Sequence, residues 1–535
     1  MSAQEKKQVK LLDCTLRDGG YVNDWAFGHD NLVSIFERLA DSGVDIIEIG
    51  FLDDRRPFDF NRSIMPNTES VEKIFGMLDR KNSMVVGMID YGTCDISNIQ
   101  PCSESYLDGI RVIFKKHLRK QALEYCAQIK ALGYKVFAQL VSVTSYSDEE
   151  MLDLIRLANE VEPYAVSMVD TYGLMHQNNL SHYFDILDAN LKPGINLGYH
   201  AHNNFQMGYA NCIAMLAKNT DREILVDGSL YGMGKSAGNA PIELIAMHMN
   251  HVYGKQYKIS QMLEAIDANV LQFYKPATWG YNMFYYLAAF NDCHPSYVQY
   301  LMDKRTLSVK SINDILGSLQ GEKKLLYDKN YIEELYKNYQ TVEVNDEKAL
   351  AELSEQFHGK KILLIGPGKS VVTQAEKIQE FHRSNQDACV ISINHIPDCT
   401  DVDYVFISNA KRYVQLASRL ANGNYKIIAT SNITAASSGE FSYVLNYGNL
   451  IDADTEIADN SLIMIMKAFV HMGVGEVVMA GFDGYSASES NYYHIDMEYA
   501  FIKDKAAYLN DYTKGMLAVF RKSIKINFLT ESLYE

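Results

Sequence analysis

Eight short apolar runs punctuate the first 255 residues at near-regular intervals, and this rhythm constrains the fold more than any other feature. They are VKLLDCTL (9–16), VDIIEIGF (44–51), SMVVGMID (83–90), LDGIRVIF (107–114), KVFAQLVSV (135–143), YAVSMVD (164–170), INLGYHAH (195–202) and REILVDGSL (222–230). Val, Ile, Leu and Met dominate them, as expected of strands buried on both faces. Helix-length segments such as HDNLVSIFERLADSG (29–43) and KKHLRKQALEYCAQIKALG (115–133) separate most pairs. Ser, Asn or Asp often precedes such a segment and Gly often ends it. The weakest link is DISNIQPCSESY, between the third and fourth runs, which carries a Pro and reads as loop and short turn. Eight strand–helix units in about 250 residues have the size of a (β/α)8 barrel, with an open doubly wound sheet as the alternative. A barrel places its chemistry at the C-terminal strand ends, so reactive residues must gather there.

Beyond residue 255 the strand signals vanish. ISQMLEAIDANVLQFY, GYNMFYYLAAFND and SYVQYLMDKRT read as helices, with loop signals at KPATWG and CHPS and a charged helix or linker at 345–361. A second α/β unit begins at KILLIG (361–366). Its further strands are expected at 388–394, 402–408, 425–431, 443–448, 476–484 and 525–530, with helices at 371–384, 410–421, 459–473 and 497–521. The expected organisation is a barrel over 1–255, a helical appendage and linker over 256–357, and a doubly wound Rossmann-like domain over 358–535.

Lys plus Arg number 50 and Asp plus Glu 67, a net charge of −17. That balance argues against nucleic-acid binding, which needs a basic footprint. The N-terminus MSAQEKKQVK lacks a signal-peptide core, and no apolar run reaches the ~18 residues of a membrane span. The eight cysteines are scattered without a C-x-x-C pair, so a disulfide framework or Cys-rich zinc site is not expected, and a reducing cytoplasm fits.

Three clusters carry chemistry. DCTLRDGGYVNDW (13–25) leaves the first strand and places Arg17 and Asp18 before the Gly19-Gly20 turn. YHAHNN (199–204) ends the seventh strand. His200 and His202 are two apart, so they face one side of a strand, about 6.6 Å apart along it. Two convergent imidazoles can share one cation at about 2.0–2.1 Å, and closure of a barrel would let Asp18 serve as third ligand. Alone, an H-x-H is more often a surface or core feature, and an R-D pair more often an ion pair or turn cap. Their joint placement at one rim favours the metal reading. The third cluster, VDGSLYGMGKSAGNAPIE (226–243), offers Asn239 either as a site residue or as the N-cap of the last helix.

DCTLRDGG, HAHNN and DGSLYGMGKSAGN, in this order, resemble the DRE-TIM metallolyases, most closely the 4-hydroxy-2-oxoacid aldolases. The resemblance covers residues 9–245. It implies a divalent metal, commonly Mn²⁺ with Mg²⁺, Co²⁺ or Zn²⁺ as alternatives, held by Asp18, His200 and His202. It implies that Arg17 steadies a metal-bound enolate as a 4-hydroxy-2-oxoacid is cleaved to, or formed from, a 2-oxoacid and an aldehyde. Glu48 and Asp170, at the ends of strands two and six, would bind substrate, order a metal-bound water or order Arg17, or else be structural. The family's acid/base His after R-D-G is Tyr21 here. A phenol with a pKa near 10 is a poor base, so Tyr21 is expected to donate a hydrogen bond or a proton, or to be structural. His294 and the aromatics of WGYNMFYY (279–286) are candidates to cover the barrel mouth.

In the second unit, KILLIGPGKS (361–370) reads as strand, Gly-rich turn and helix. Gly366, Gly368, Lys369 and Ser370 form an expected anion site for a nucleotide or sugar ligand. It is not a P-loop, since 363 is Leu, nor G-x-G-x-x-G, since 371 is Val. The layout loosely resembles sugar-nucleotide or sialyltransferase-like domains. The alternative functions are a Claisen-type acyl-CoA condensing enzyme of the isopropylmalate synthase kind, and a non-catalytic nucleotide- or sugar-binding protein. A homo-oligomer without membrane contact is the expected assembly.

Overall fold

The eight expected strands all form: β1 (Val9–Asp13), β2 (Ile46–Leu52), β3 (Met84–Asp90), β4 (Gly109–Phe114), β5 (Lys135–Leu140), β6 (Ala165–Asp170), β7 (Asn196–Ala201) and β8 (Ile224–Gly228). This computed structural model describes residues 7–535 apart from 276–277, 305–306, 325, 341, 437–438, 453–454, 456–457 and 494–499. The chain divides into two compact units, Met1–Pro295 and Ser296–Glu535. In the first, every strand pairs in parallel with its sequence neighbour, and β1 pairs with both β2 and β8. Leu12 lies opposite Ile46 and Val9 opposite Ile224, so the sheet closes into a barrel and the open-sheet alternative falls. Helices follow seven strands; after β3, the expected weak link is filled by the 3-10 turns Ile96–Asn98 and Cys102–Glu104. A two-residue strand, Ile64–Met65, adds to β2.

β1 ends sooner than its apolar run. Asp13 accepts hydrogen bonds from the Thr15 amide at 2.9 Å and the Thr15 hydroxyl at 2.7 Å, and the chain turns into the short helix Thr15–Asp18. Arg17 and Asp18 are thereby swung over the barrel mouth rather than continuing a strand.

Strand alternation then divides the barrel interior into layers. Leu12, Ile46, Val86, Phe137, Ala165 and Leu225 form one buried apolar cluster. Two residues further along the same strands stand Glu48, Met88, Gln139, Ser167 and Asp227, with Arg111 and His200 on β4 and β7. The apolar layer plugs the barrel and the mostly polar layer above it faces the mouth. A bulge sets the register of Glu48: it pairs with Val86, whereas Phe51 pairs with Met88, so β2 carries one extra residue. Gly50 absorbs it at φ +140°, where a Cβ would lie 1.9 Å from the Ser63 carbonyl oxygen.

The second unit is built on β9 (Lys361–Ile365), β10 (Cys389–Ile393), β11 (Tyr404–Ile407), β12 (Lys426–Thr430), β13 (Tyr443–Leu445), β14 (Glu476–Ala480) and β15 (Lys525–Phe528). All seven expected strands form, in the parallel order β13-β12-β11-β10-β9-β14-β15. Ile362 and Leu364 join one buried cluster with Phe357 and Phe469, and Leu363 and Ile365 join another with Val371 and Leu420. Both faces are covered, which is why these strands read as unbroken apolar runs. The expected helix over 497–521 is in part Ala500–Asp504 and Ala506–Phe520, while its first residues lie outside the described residues. Among the described residues no helix is long and apolar enough to cross a membrane.

Gly50→Ala should cost about 2–3 kcal/mol, because the added methyl meets backbone and not a side chain that can yield. Urea unfolding followed by circular dichroism checks this, and a loss below ~0.5 kcal/mol would contradict the assigned bulge.

Candidate metal centre

Asp18, His200 and His202 meet at the C-terminal rim, all buried, with ligand atoms within 4.8 Å of one another. Asp18 Oδ2 lies 3.5 Å from His200 Nε2 and 3.9 Å from His202 Nε2. Each ring is anchored through its other nitrogen. His200 Nδ1 lies 3.1 Å from Asp227 Oδ2, and His202 Nδ1 lies 3.3 Å from the Gly238 carbonyl oxygen. A carbonyl can only accept, so His202 Nδ1 carries the proton; Asp227, held ionised, accepts from His200 Nδ1, and both Nε2 atoms face Asp18. This is how metal-binding histidines are usually oriented. The donor set of two imidazoles and one carboxylate with open positions suits a catalytic divalent cation.

The electrostatics agree with that fit. Burial alone would raise the Asp18 carboxyl, but Arg17 and the two histidines hold it well below the usual carboxylate range. Burial and the neighbouring positive groups push His202 down to about 4, leaving it neutral. Burial disfavours a charged His200, yet its bonds to Asp18 and Asp227 outweigh that and raise it. The second carboxylate oxygen of Asp18 accepts from the Lys235 amide at 3.0 Å. That close approach of the loop after β8 requires Gly234, where a Cβ would lie 2.9 Å from Asp18 Oδ1 and 2.3 Å from Asn239 Nδ2.

Arg17 is fixed from below: its Nε donates to Glu48 Oε2 at 2.8 Å, and its NH1 contacts Asp18. Glu48 also pairs with Arg111 at 3.0 Å, and Arg111 donates to Gln139 at 3.0 Å and to Asp227. Arg111 is 1% exposed. A continuous network thus runs Arg17–Glu48–Arg111–Asp227–His200 beneath the candidate metal ligands. Sequence reasoning missed Arg111 and Asp227. Asp227 stood within a quoted motif, and Arg111 is the one charge within β4, a signal that this otherwise apolar strand faces a polar interior.

The remaining expected residues are placed as follows. Asp170 accepts from the Leu174 and Met175 amides at 2.8 and 3.0 Å and closes its own turn, and burial raises its carboxyl to about 6. Asn239 bridges to His202 and donates to the Met233 carbonyl at 3.2 Å. It is not the cap of the last helix, which starts at Ile242 with Pro241 at the cap position. Tyr21 lines the pocket at this rim, with the Lys235 ammonium 5.2 Å from its ring centre. Burial, reinforced by Asp18, pushes the Tyr21 phenol up to about 12, so it is a neutral donor and not a base near pH 7. Met88, Ile113 and Val169 form an apolar wall in the same pocket. The segment 279–294 lies across the rim. Trp279 Nε1 donates to the Tyr231 carbonyl at 3.0 Å, the Gly280 amide to Ala237 at 3.1 Å, and Asn204 Nδ2 to the Tyr285 carbonyl at 3.3 Å. His294 rests edge-on to Tyr172. Gly366, Gly368, Lys369 and Ser370 belong to the second unit and take no part here.

Two outcomes follow from this network. Asp227→Asn removes the charged acceptor that orients His200 and should weaken Mn²⁺ binding about 10–100-fold, read by titration calorimetry. Arg111→Met strands Glu48 and Asp227 as buried charges and should cost about 3–5 kcal/mol in chemical unfolding.

The comparisons with known proteins fall on the same unit. The HMGL-like family model matches residues 8–270. The 4-hydroxy-2-oxovalerate aldolase of Stutzerimonas stutzeri is 24% identical over 239 residues, 44% of this chain and 68% of that protein. The 4-hydroxy-2-oxovalerate aldolase of Pseudoalteromonas translucida is 24% identical over 263 residues, 48% of this chain and 75% of that protein. A 2-isopropylmalate synthase of Sulfolobus acidocaldarius is 25% identical over 251 residues, 46% of this chain and 64% of that protein. Among solved structures, an HMG-CoA lyase from Bacillus subtilis is 18% identical with a TM-score of 0.41, covering 50% of this chain and 94% of its own. Residues 8–270, just under half of this chain, thus match the HMGL-like family model.

Proposed function

We propose that the barrel is a divalent-metal-dependent aldolase that reversibly cleaves a 4-hydroxy-2-oxoacid to a 2-oxoacid and an aldehyde. The observation that carries this reading is the convergence of two anchored imidazoles and one carboxylate on a single point. When bound there, a divalent cation, Mn²⁺ in our reading, supplies Lewis-acid stabilisation of negative charge worth several kcal/mol. The chain's own residues do the rest. As the C3–C4 bond breaks, the 4-hydroxyl gives up its proton and becomes the aldehyde C=O, the electron pair stays on the 2-oxoacid fragment delocalised onto the 2-oxo oxygen, and a proton then returns to C3. Arg17, locked by Glu48, directs fixed N–H donors at that oxygen. Tyr21 stays protonated and donates a hydrogen bond to a substrate oxygen. Lys235 and Arg17 attract the substrate carboxylate, while Met88, Ile113 and Val169 receive its short apolar end. The segment 279–294 limits water access to the mouth. The eight free thiols suit a reducing cytoplasm.

Deuterium exchange at the pyruvate methyl group, followed by proton NMR in heavy water, tests enolisation without the true aldehyde. Exchange should stop with chelator and return with Mn²⁺; exchange indifferent to chelator would refute the metal assignment. Asp18→Asn or His202→Ala should remove metal and exchange together while the thermal transition persists. Arg17→Ala should retain metal and slow exchange about 10²–10³-fold. The similarity to a 2-isopropylmalate synthase favours a second reading, Claisen-type condensation with an acyl-CoA. Thiol release from acetyl-CoA and a 2-oxoacid, without aldol turnover, would select it.

A further inference from the structure

The helix Thr15–Asp18, which carries Arg17 and Asp18, is one turn long, so its last carbonyls find no partner within it. Two of them are taken by side chains from outside. Ser63 donates its hydroxyl to the Leu16 carbonyl at 2.6 Å, and Trp25 Nε1 donates to the Arg17 carbonyl at 2.7 Å. Ser63 and Trp25 are both buried, so water does not compete for these bonds.

The two donors belong to one strap. The Ser63 amide donates to the Trp25 carbonyl at 3.1 Å, and Ala26 forms an antiparallel bridge with Arg62. The Ser63 carbonyl accepts from the Phe51 amide at 3.0 Å, beside the Gly50 bulge of β2. The strap bends where L-residues are disfavoured: Asp24 and Trp25 follow one another at φ +54° and +58°. Such strain persists only where the surroundings over-determine it, and it gathers at functional sites. Here Asp24 is gripped by Arg56 at 3.0 Å and by Arg62 at 2.5 Å, and the Arg56 guanidinium lies 5.6 Å from the centre of the indole. Gly20 makes room for that indole, since a Cβ there would lie 1.9 Å from Trp25 Cδ1. Trp25, Phe51, Ile64 and Met88 pack as one apolar cluster, and Met88 continues into the wall of the pocket.

Arg17 is thereby held at both ends. Glu48 fixes its guanidinium, and the strap fixes its backbone. We infer that Trp25 and Ser63 are positioning residues for the reaction: they set where the Arg17 donors point and so govern turnover, although neither lines the pocket. Metal binding does not depend on them, because Asp18 has anchors of its own. Its amide donates to the Cys14 carbonyl at 2.8 Å, and its carboxylate accepts from the Lys235 amide at 3.0 Å. The inference rests on the aldolase reading, in which Arg17 acts on the 2-oxo oxygen.

Two substitutions test it in the full chain. Trp25→Phe keeps an aromatic ring beside Tyr21, whose ring centre lies 4.7 Å from the indole, and removes the N–H donor. Ser63→Ala removes only the hydroxyl. In Mn²⁺-dependent exchange of the pyruvate methyl group, each should lower kcat about tenfold or more, while KM and the Mn²⁺ dissociation constant change by no more than about twofold. In an Arg17→Ala background neither should slow exchange further by more than about twofold, because both act through that side chain. A residue that merely supports the fold would multiply with Arg17→Ala instead. Thermal unfolding shows which variants fold; if one does not, the other decides, and if neither folds the pair is structural and the inference falls. Wild-type rates in the folded variants, loss of Mn²⁺ binding in step with rate, or a full additional loss beside Arg17→Ala would also overturn it, with the aldolase reading left intact. A wild-type chain that shows no exchange with Mn²⁺ would sink that reading, and the strap's role with it.

Discussion

The site hangs on one buried guanidinium. Arg111 reaches across the barrel interior to Glu48 on β2 and Asp227 on β8 and draws both carboxylates into fixed positions. Glu48 then holds Arg17, and Asp227 holds His200. Burial would strip Arg111 of its charge, but the attraction of Asp227 and Glu48 exceeds that and holds its pKa above the ordinary value. Such a cluster is costly to desolvate and is poorly explained as a device for stability. It is well explained as a support that orients the groups above it, since a metal site is only as good as the shell that aims its ligands.

Charge balance extends this argument. The carboxylates of Asp18, Glu48 and Asp227 pair with the guanidiniums of Arg17 and Arg111, and Lys235 lines the pocket above them. These opposite charges offset one another. A low-dielectric pocket rewards that pairing, because a lone charge of either sign would be poorly solvated there. Burial likewise keeps the Tyr21 phenol protonated, a hydrogen-bond donor.

Much of this was legible in the chain. His200 and His202, two apart near the end of an apolar run, had to share a side of β7. The R-D pair before Gly19-Gly20 had to sit where β1 ends. Asn239 was ambiguous because Pro241 resembles a helix start, and only the pairing with His202 resolved it. The GPGKS turn read as an anion cradle because its backbone pattern is local. The carboxylate that takes its Ser370 donors, Asp483, comes 113 residues later in the chain.

What the sequence determined by itself is periodic and local: fifteen strands, their burial on both faces, the helices between them, and which residues must lie at strand ends. Hydrophobic alternation and turn chemistry act over a few residues, so they can be read from a few residues. What the tertiary structure alone decided is convergence. Barrel closure brings Arg111 to Asp227 across 116 positions of chain, and strand order in the second unit brings Ser370 to Asp483 across 113. Those meetings depend on long-range pairing of β-strands, whose partners no local pattern names.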